Sequence, residues 1–239
     1  MMRRNNKFRP FLKRVNYFST VLPSEETMIR KVLGKIPRRV NFHCMSRKSR
    51  EYKYSIVNLN SINMLVGNSA YMTNNHLDIL PVVAKTKFEI YVPLSYTMDG
   101  IGKSAYADMI MALGKKLLGN RFHPLTDYMP PREYIEFLST CSVFVFDIYR
   151  QQAVGNISMA LMQGGCVFID RRNPAYEFFK SNGVVVYPIN RLKEVERVID
   201  EFKPLQKANV EAVMKLRGAD RLISEIEETI RFLEKDVCV

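Results

Sequence analysis

From Ile62 onward the chain alternates short apolar runs with helix-like segments. The runs "INMLVGN", "FEIYVPL", "SVFVFD" and "CVFID" are mostly continuous apolar stretches, not apolar on every second residue. A strand with one wet face alternates, whereas a strand covered on both faces does not. Parallel neighbours can be joined only by a crossover, usually a helix. The pattern therefore predicts an α/β fold: a Rossmann-like parallel sheet with helices on both faces. Strands are expected at 62–68, 88–94, near 120–125, and at 142–147, 166–170 and 184–187. Helices are expected between them at 73–84, 103–118, 131–140, 157–163 and 174–181, followed by three more at 192–202, 206–216 and 220–233.

The N-terminal part is less regular. "RVNYFST" and "RRVNFHCM" have strand-like content. Between them, "PSEETMIRKVLG" reads as a helix that Ser24 can cap, with Glu25 and Glu26 at its positive end and Gly34 to stop it. Residues 46–61 are polar and form a seam, which predicts two parts, 1–60 and 61–239.

Charge narrows the partners. The net charge is +12, from 36 Lys and Arg against 24 Asp and Glu, and much of it lies in the first 53 residues. Such a surface attracts nucleic acid, anionic lipid headgroups or phosphorylated small molecules, or is merely solvated. Aromatic residues do not interleave with Lys and Arg as on a base-stacking platform, so no nucleic acid is expected. The four cysteines form no CxxC pair, which suits a reducing compartment. His43, His76 and His123 lack metal-ligand spacing and no D-x-D pair is present, so no metal is expected. No apolar run reaches the ~18 residues that a membrane-spanning helix needs. The basic N-terminus lacks the apolar segment of a secretory signal.

In an open parallel sheet, ligands sit beyond the carboxyl ends of the strands. The first such end, "LVGNSAYMTNNH", offers Gly67, Asn68, Ser69, Asn74 and His76. It suits a phosphate at a helix start, or equally plain turn and cap chemistry. It is neither a P-loop nor a dinucleotide fingerprint. The second end, "YVPLSYTMDGIG", offers Ser95 and Tyr96, the tyrosine able to stack on a base, bond a sugar hydroxyl, or simply pack in the loop. The third, "FHPLTDYMPPREY", carries His123 and Asp127, with a plain turn as the alternative.

The fourth end, "FDIYRQQAVGNIS", is the richest in polar groups. Arg150 is a permanent cation with a donor fork suited to phosphate. Gln151 and Gln152 add amides, and Gly155 and Asn156 stand where a helix begins. The fifth, "FIDRRNPAYEFF", gathers Asp170, Arg171, Arg172 and Asn173 before Pro174, with Asn173 as a helix cap. The whole suits a nucleoside diphosphate carrying a sugar. No nucleophile motif and no glycosidase-like carboxylate pair is present.

"LVGNS…TNNH", "VPLSY", "YRQQAVGNI" and "RRNP", in that order, resemble the TDP-N-acetylfucosamine:lipid II N-acetylfucosaminyltransferase family, also called the 4-alpha-L-fucosyltransferase family. The resemblance covers roughly Ile62 to Ile189, with a weaker echo in "NYFSTVLPSEE". It implies the C-terminal, donor-binding domain of a GT-B glycosyltransferase, with residues 1–60 as a remnant or end of an acceptor-side domain. By this resemblance Gly67, Asn68 and Ser69 line the diphosphate loop and Asn74 and His76 follow it. Tyr96 is a rim tyrosine. Arg150, Gln151, Gln152, Gly155 and Asn156 form the donor motif, and Asn173 the later Asn-Pro. It further implies a TDP-linked donor, a 4-acetamido-4,6-dideoxyhexose or similar sugar, and a polyprenyl-diphosphate-linked acceptor. The place would be the cytoplasmic face of the bacterial inner membrane, against anionic lipid, in envelope polysaccharide synthesis such as that of enterobacterial common antigen. The alternatives are a catalytically incomplete nucleotide-sugar-binding module needing a partner chain and, less favoured, a basic nucleic-acid-binding protein.

Overall fold

The computed structural model describes residues 14–33, 37–41, 54–97, 100–101 and 104–237. Most of the N-terminal cations, Gly34, His43, Cys44, Cys238 and residues 46–53 of the seam lie outside these residues. Two compact units form: 1–50 together with 217–239, and 51–216.

In the first unit, β1 (Tyr17–Phe18) leads through α1 (Glu25–Leu33) to β2 (Arg38–Arg39), which pairs with β1 in parallel. β1 is shorter than the sequence suggests, and residues 42–45 of the second expected strand lie outside the described residues. Just ahead of α1, the Glu25 carboxylate accepts from the Leu22 N–H at 2.9 Å. The last helix, α9 (Ala219–Val237), belongs to this unit: the Tyr17 ring meets Phe232 edge-on and its hydroxyl bonds Asp236.

The second unit is built on a six-stranded, all-parallel sheet. The chain runs β3 (Asn63–Val66), α2 (His76–Val83), β4 (Glu89–Pro93), a small hairpin of β5 (Tyr96–Thr97) and β6 (Gly100–Ile101), α3 (Ala105–Leu118), and β7 (Phe122–Leu125). It continues through α4 (Pro131–Leu138), β8 (Val143–Phe146), α5 (Val154–Met162), β9 (Cys166–Ile169), α6 (Pro174–Ser181) and β10 (Tyr187–Pro188), then α7 (Val195–Phe202) and α8 (Gln206–Arg217). The order across the sheet is β10-β9-β8-β3-β4-β7. All four residues of β8 and of β9 are buried, as continuous apolar strands require when helices cover both faces. The expected 184–187 strand survives only as Tyr187–Pro188; Val184 and Val186 are buried but outside the ladder.

Loop carbonyls find side-chain donors. Arg121 donates to the carbonyls of Ala84 (3.0 Å), Thr86 (2.7 Å) and Phe88 (3.0 Å), tying the exit of α2 to the entry of β4. Gln206 likewise donates to the carbonyls of Val57 and Gly164, tying α8 to the segment before β3 and to the turn before β9. Such bonds keep buried backbone groups paired where no helix or ladder partner exists.

Candidate functional site

The chain reaches β8 only after β4 and β7, yet β8 lies beside β3. The strand order therefore reverses between β3 and β8. At such a switch point the two outgoing connections leave for opposite faces and a crevice opens between them.

The loop after β3 is held from within. Gly67 has φ +74°, and a Cβ there would stand 2.7 Å from His76 Nε2 and 3.0 Å from Asn74 Oδ1. The close approach that requires glycine is thus to the protein's own side chains. Asn74 Oδ1 accepts from the Asn68 N–H at 3.0 Å, and its amide donates to Ser69 Oγ at 3.1 Å and to the Tyr71 carbonyl at 3.3 Å. A short 3-10 turn (Met72–Asn74) and a left-handed Asn75 precede α2, which begins later than the sequence suggests. His76 is buried, with Nδ1 3.2 Å from the Tyr106 hydroxyl, and burial lowers its pKa to about 4, so the imidazole is neutral.

The loop after β8 leaves its charge outside. Asp147 is buried at the strand end, and its backbone carbonyl accepts from Asn75 Nδ2 at 2.6 Å. Burial, reinforced by Asp170 and Asp78 and opposed by Arg172, pushes its carboxyl up to about 6. The Arg172 guanidinium sits 3.4 Å from the Tyr149 ring centroid while chelating Asp170, which is thereby held below the usual carboxylate range. Arg150 is exposed and, among the described residues, makes no ion pair or hydrogen bond. Helix α5 starts at Val154, three residues before the expected start, with Ala153 (φ +62°) as its cap residue and no side-chain cap bond. The first intrahelical bond runs from the Ile157 N–H to the Ala153 carbonyl at 2.8 Å. The N–H groups of Val154, Gly155 and Asn156 therefore have no intrahelical acceptor and carry the positive end of the helix dipole.

Above these strand ends lies a cavity of about 580 Å³. From β8 and β3 it receives Arg150, Gln152, Asn156, Asn68 and Ser69; from β4 and β7 it receives Ser95, Tyr96, Asp127 and Tyr128. Tyr134, Ile135 and Met159, from α4 and α5, supply apolar surface. Burial pushes the Tyr134 hydroxyl's pKa up, so it stays neutral. Tyr96 and Tyr128 meet edge to face, centroids 6.0 Å apart at 73°. The Ala70 N–H donates to the Tyr96 carbonyl at 2.7 Å, joining this aromatic wall to the β3 loop.

The cavity gathers Asn68, Ser69, Tyr96, Arg150, Gln152 and Asn156 from the residues expected to bind a donor. Asn74 and His76 lie buried behind the loop, and Gly67 serves their packing. Gln151 and Gly155 share the β8 loop but do not line the cavity. Asn173 is buried at the end of β9, where it caps α6 by accepting from the Ala175 N–H at 3.0 Å. Strand ends alone did not point to Tyr134, Ile135 or Met159. The signal was there in the topology: the crossover from edge strand β7 to β8 sets α4 beside α5, whose Gln163 amide donates to the Ile135 carbonyl at 2.8 Å.

The family model described as 4-alpha-L-fucosyltransferase glycosyl transferase group 56 matches residues 17–213. The chain belongs to this family.

Among solved structures, this family member is similar to sucrose-phosphate synthase from Thermosynechococcus elongatus, at 14% identity and a TM-score of 0.73 over 95% of this chain and 61% of that one. It is similar to a glycosyltransferase from Rickettsia africae ESF-5, at 11% identity and a TM-score of 0.69 over 96% of this chain and 67% of that one. A third is the UDP-forming alpha,alpha-trehalose-phosphate synthase from Burkholderia vietnamiensis, at 7% identity and a TM-score of 0.61 over 98% of this chain and 63% of that one. The neighbours are GT-B glycosyltransferases, and at these identities the likeness is one of fold. The chain spans about three fifths of the length of the first of them. No helix among the described residues is long and apolar enough to cross a membrane.

Proposed function

We propose that the protein is a glycosyltransferase, or the donor-binding part of one. It would pass a sugar from a nucleoside diphosphate to an acceptor hydroxyl. The observation that carries this is the pairing of Arg150, without a partner among the described residues, with the uncapped start of α5 beside a cavity of about 580 Å³. A diphosphate placed there meets a guanidinium and up to three backbone N–H groups. When the bond between the anomeric carbon and the diphosphate oxygen breaks, negative charge grows on the departing oxygens. Donors fixed beforehand stabilise that charge more than they stabilise the ground state. Asn68 and Ser69 stand across the switch point to orient the same groups.

For the finer identity, the family's description supports a fucose-like sugar. The sugar would be a 4-acetamido-4,6-dideoxyhexose or a similar one, carried on TDP, with a polyprenyl-diphosphate-linked glycan as acceptor. The protein would work on the cytoplasmic face of a bacterial inner membrane, its basic N-terminal residues against anionic lipid.

Isothermal titration with TDP tests the donor reading. Binding is expected in the wild type, weakened about tenfold or more in Arg150→Ala, the scale of a lost charge-assisted bond. TDP binding undiminished in Arg150→Ala would remove the role assigned to that residue.

A further inference from the structure

We propose that Asp127 selects the donor's base, its carboxylate accepting a ring N–H from a base that lies against Tyr128. The inference rests on the nucleotide-sugar reading above.

The cavity is graded across the sheet. On its β8 and β3 side stand Arg150, Asn68, Ser69 and Asn156; on its β7 and α4 side stand Leu125, Tyr128, Met129 and Pro131. A nucleoside diphosphate is graded too, with charge concentrated on the diphosphate and a flat, weakly polar ring at the far end. Anchoring the charge at Arg150 and the α5 start sends the ring toward β7. There Tyr128 is 46% exposed and Tyr96 is 45% exposed. Their edge-to-face contact fixes both rings yet leaves ring faces open to stack on a base.

Asp127 is the neighbour of Tyr128 in the chain and lines the same cavity. It is exposed, and among the described residues its carboxylate has neither an ion-pair nor a hydrogen-bond partner. A carboxylate only accepts hydrogen bonds, and it repels a diphosphate. Its place in an anion-binding cavity is therefore useful at the end away from the phosphates, against a group that donates. Uracil, thymine and guanine carry a ring N–H on the edge that pairs in duplexes. Cytosine and adenine present a bare ring nitrogen there, so a carboxylate aligned with that position faces an acceptor and reaches a donor only by shifting to the exocyclic amine beside it. The same carboxylate that attracts the first group disfavours the second, so discrimination has an attractive and a repulsive part.

The test is titration of the full chain, wild type and Asp127→Ala, with TDP, its N3-methyl analogue, GDP, CDP and inorganic pyrophosphate. The wild type is expected to bind TDP or GDP about tenfold or more tightly than CDP, and TDP about tenfold or more tightly than its N3-methyl analogue. In Asp127→Ala these ratios are expected to collapse to within about twofold, with pyrophosphate separating the two proteins by no more than that. Whether TDP or GDP binds better tells a pyrimidine from a purine ring. Base preference retained in Asp127→Ala, or no preference in the wild type while the diphosphates still bind, overturns the role of Asp127 alone. A wild type that binds none of the ligands, pyrophosphate included, overturns the nucleotide-sugar reading with it.

Discussion

Gln152 Oε1 accepts a hydrogen bond from Thr73 Oγ1 at 2.6 Å, so the loops that leave β8 and β3 are bonded to each other across the switch point. The same glutamine's amide reaches Asn68 Oδ1 at 3.4 Å, a weak contact that repeats the link. Gln152 thus holds the site's shape as well as lining it. Replacing Thr73 by Val or Gln152 by Leu is expected to cost about 0.5–1.5 kcal/mol each, the range for one net intramolecular hydrogen bond. Because both changes break one bond, the double variant should cost clearly less than the sum. Urea unfolding of the four proteins measures this; strict additivity would show that the bond contributes nothing.

Two glycines near the site should behave oppositely. Gly67→Ala demands a positive φ from an L-residue and drives a Cβ to within 2.7 Å of the buried His76 ring. A loss of about 2 kcal/mol or more is expected, since strained φ and overpacking each cost about 1–3 kcal/mol. Gly155 lies in the first turn of α5, and a Cβ there meets nothing within 4 Å. Gly155→Ala should be neutral or stabilise by up to about 1 kcal/mol. Thermal unfolding separates the two, and equal effects would contradict the geometry.

Asp147 makes stability depend on pH. Its carboxyl is raised from 3.8 to about 6 by burial and by Asp170 and Asp78. Between those values the folded state binds more protons than the unfolded one, so stability falls as pH rises from about 3.8 to about 6. The full difference is on the order of 3 kcal/mol as an upper figure. Asp147→Asn removes the charge and keeps the shape. It is expected to stabilise the protein at pH 8 and to give little or no gain near pH 4. A gain that is the same at both pH values would place the effect elsewhere.

Arg121 is a structural cation with three backbone acceptors. Arg121→Ala leaves carbonyls at the α2–β4 turn without their donor, at about 1–3 kcal/mol for an unsatisfied buried group. Arg121→Lys should restore less than half of the loss, because an ammonium cannot fork to three carbonyls as a planar guanidinium does. Chemical denaturation of both variants checks this, and full rescue by lysine would reduce the interaction to simple charge.

The sheet was legible in the sequence because "VFVF" and "CVFI" are apolar on every residue, as a strand covered on both faces requires. The site was legible as a region, since parallel strands point their carboxyl ends the same way. The candidates separated differently. Arg150 stayed at the surface because a guanidinium without a partner is costly to bury. Asn74 and His76, equally polar, went inside, where the Asn68 and Ser69 loop and Tyr106 supply hydrogen-bond partners.

The sequence by itself determined a parallel α/β sheet and the edge of it at which polar groups collect, because hydropathy reports how each residue is covered within its own element. Only the tertiary structure decided which of those groups face the cavity. Gln152 finds Thr73 from 79 positions away, and Asp127 lines the same cavity as Arg150, from its opposite side, because β7 and β8 flank β3 and β4 in the sheet. A loop side chain's partner is set by which strands lie side by side, and that order is fixed by packing over the whole domain rather than by neighbours in the chain.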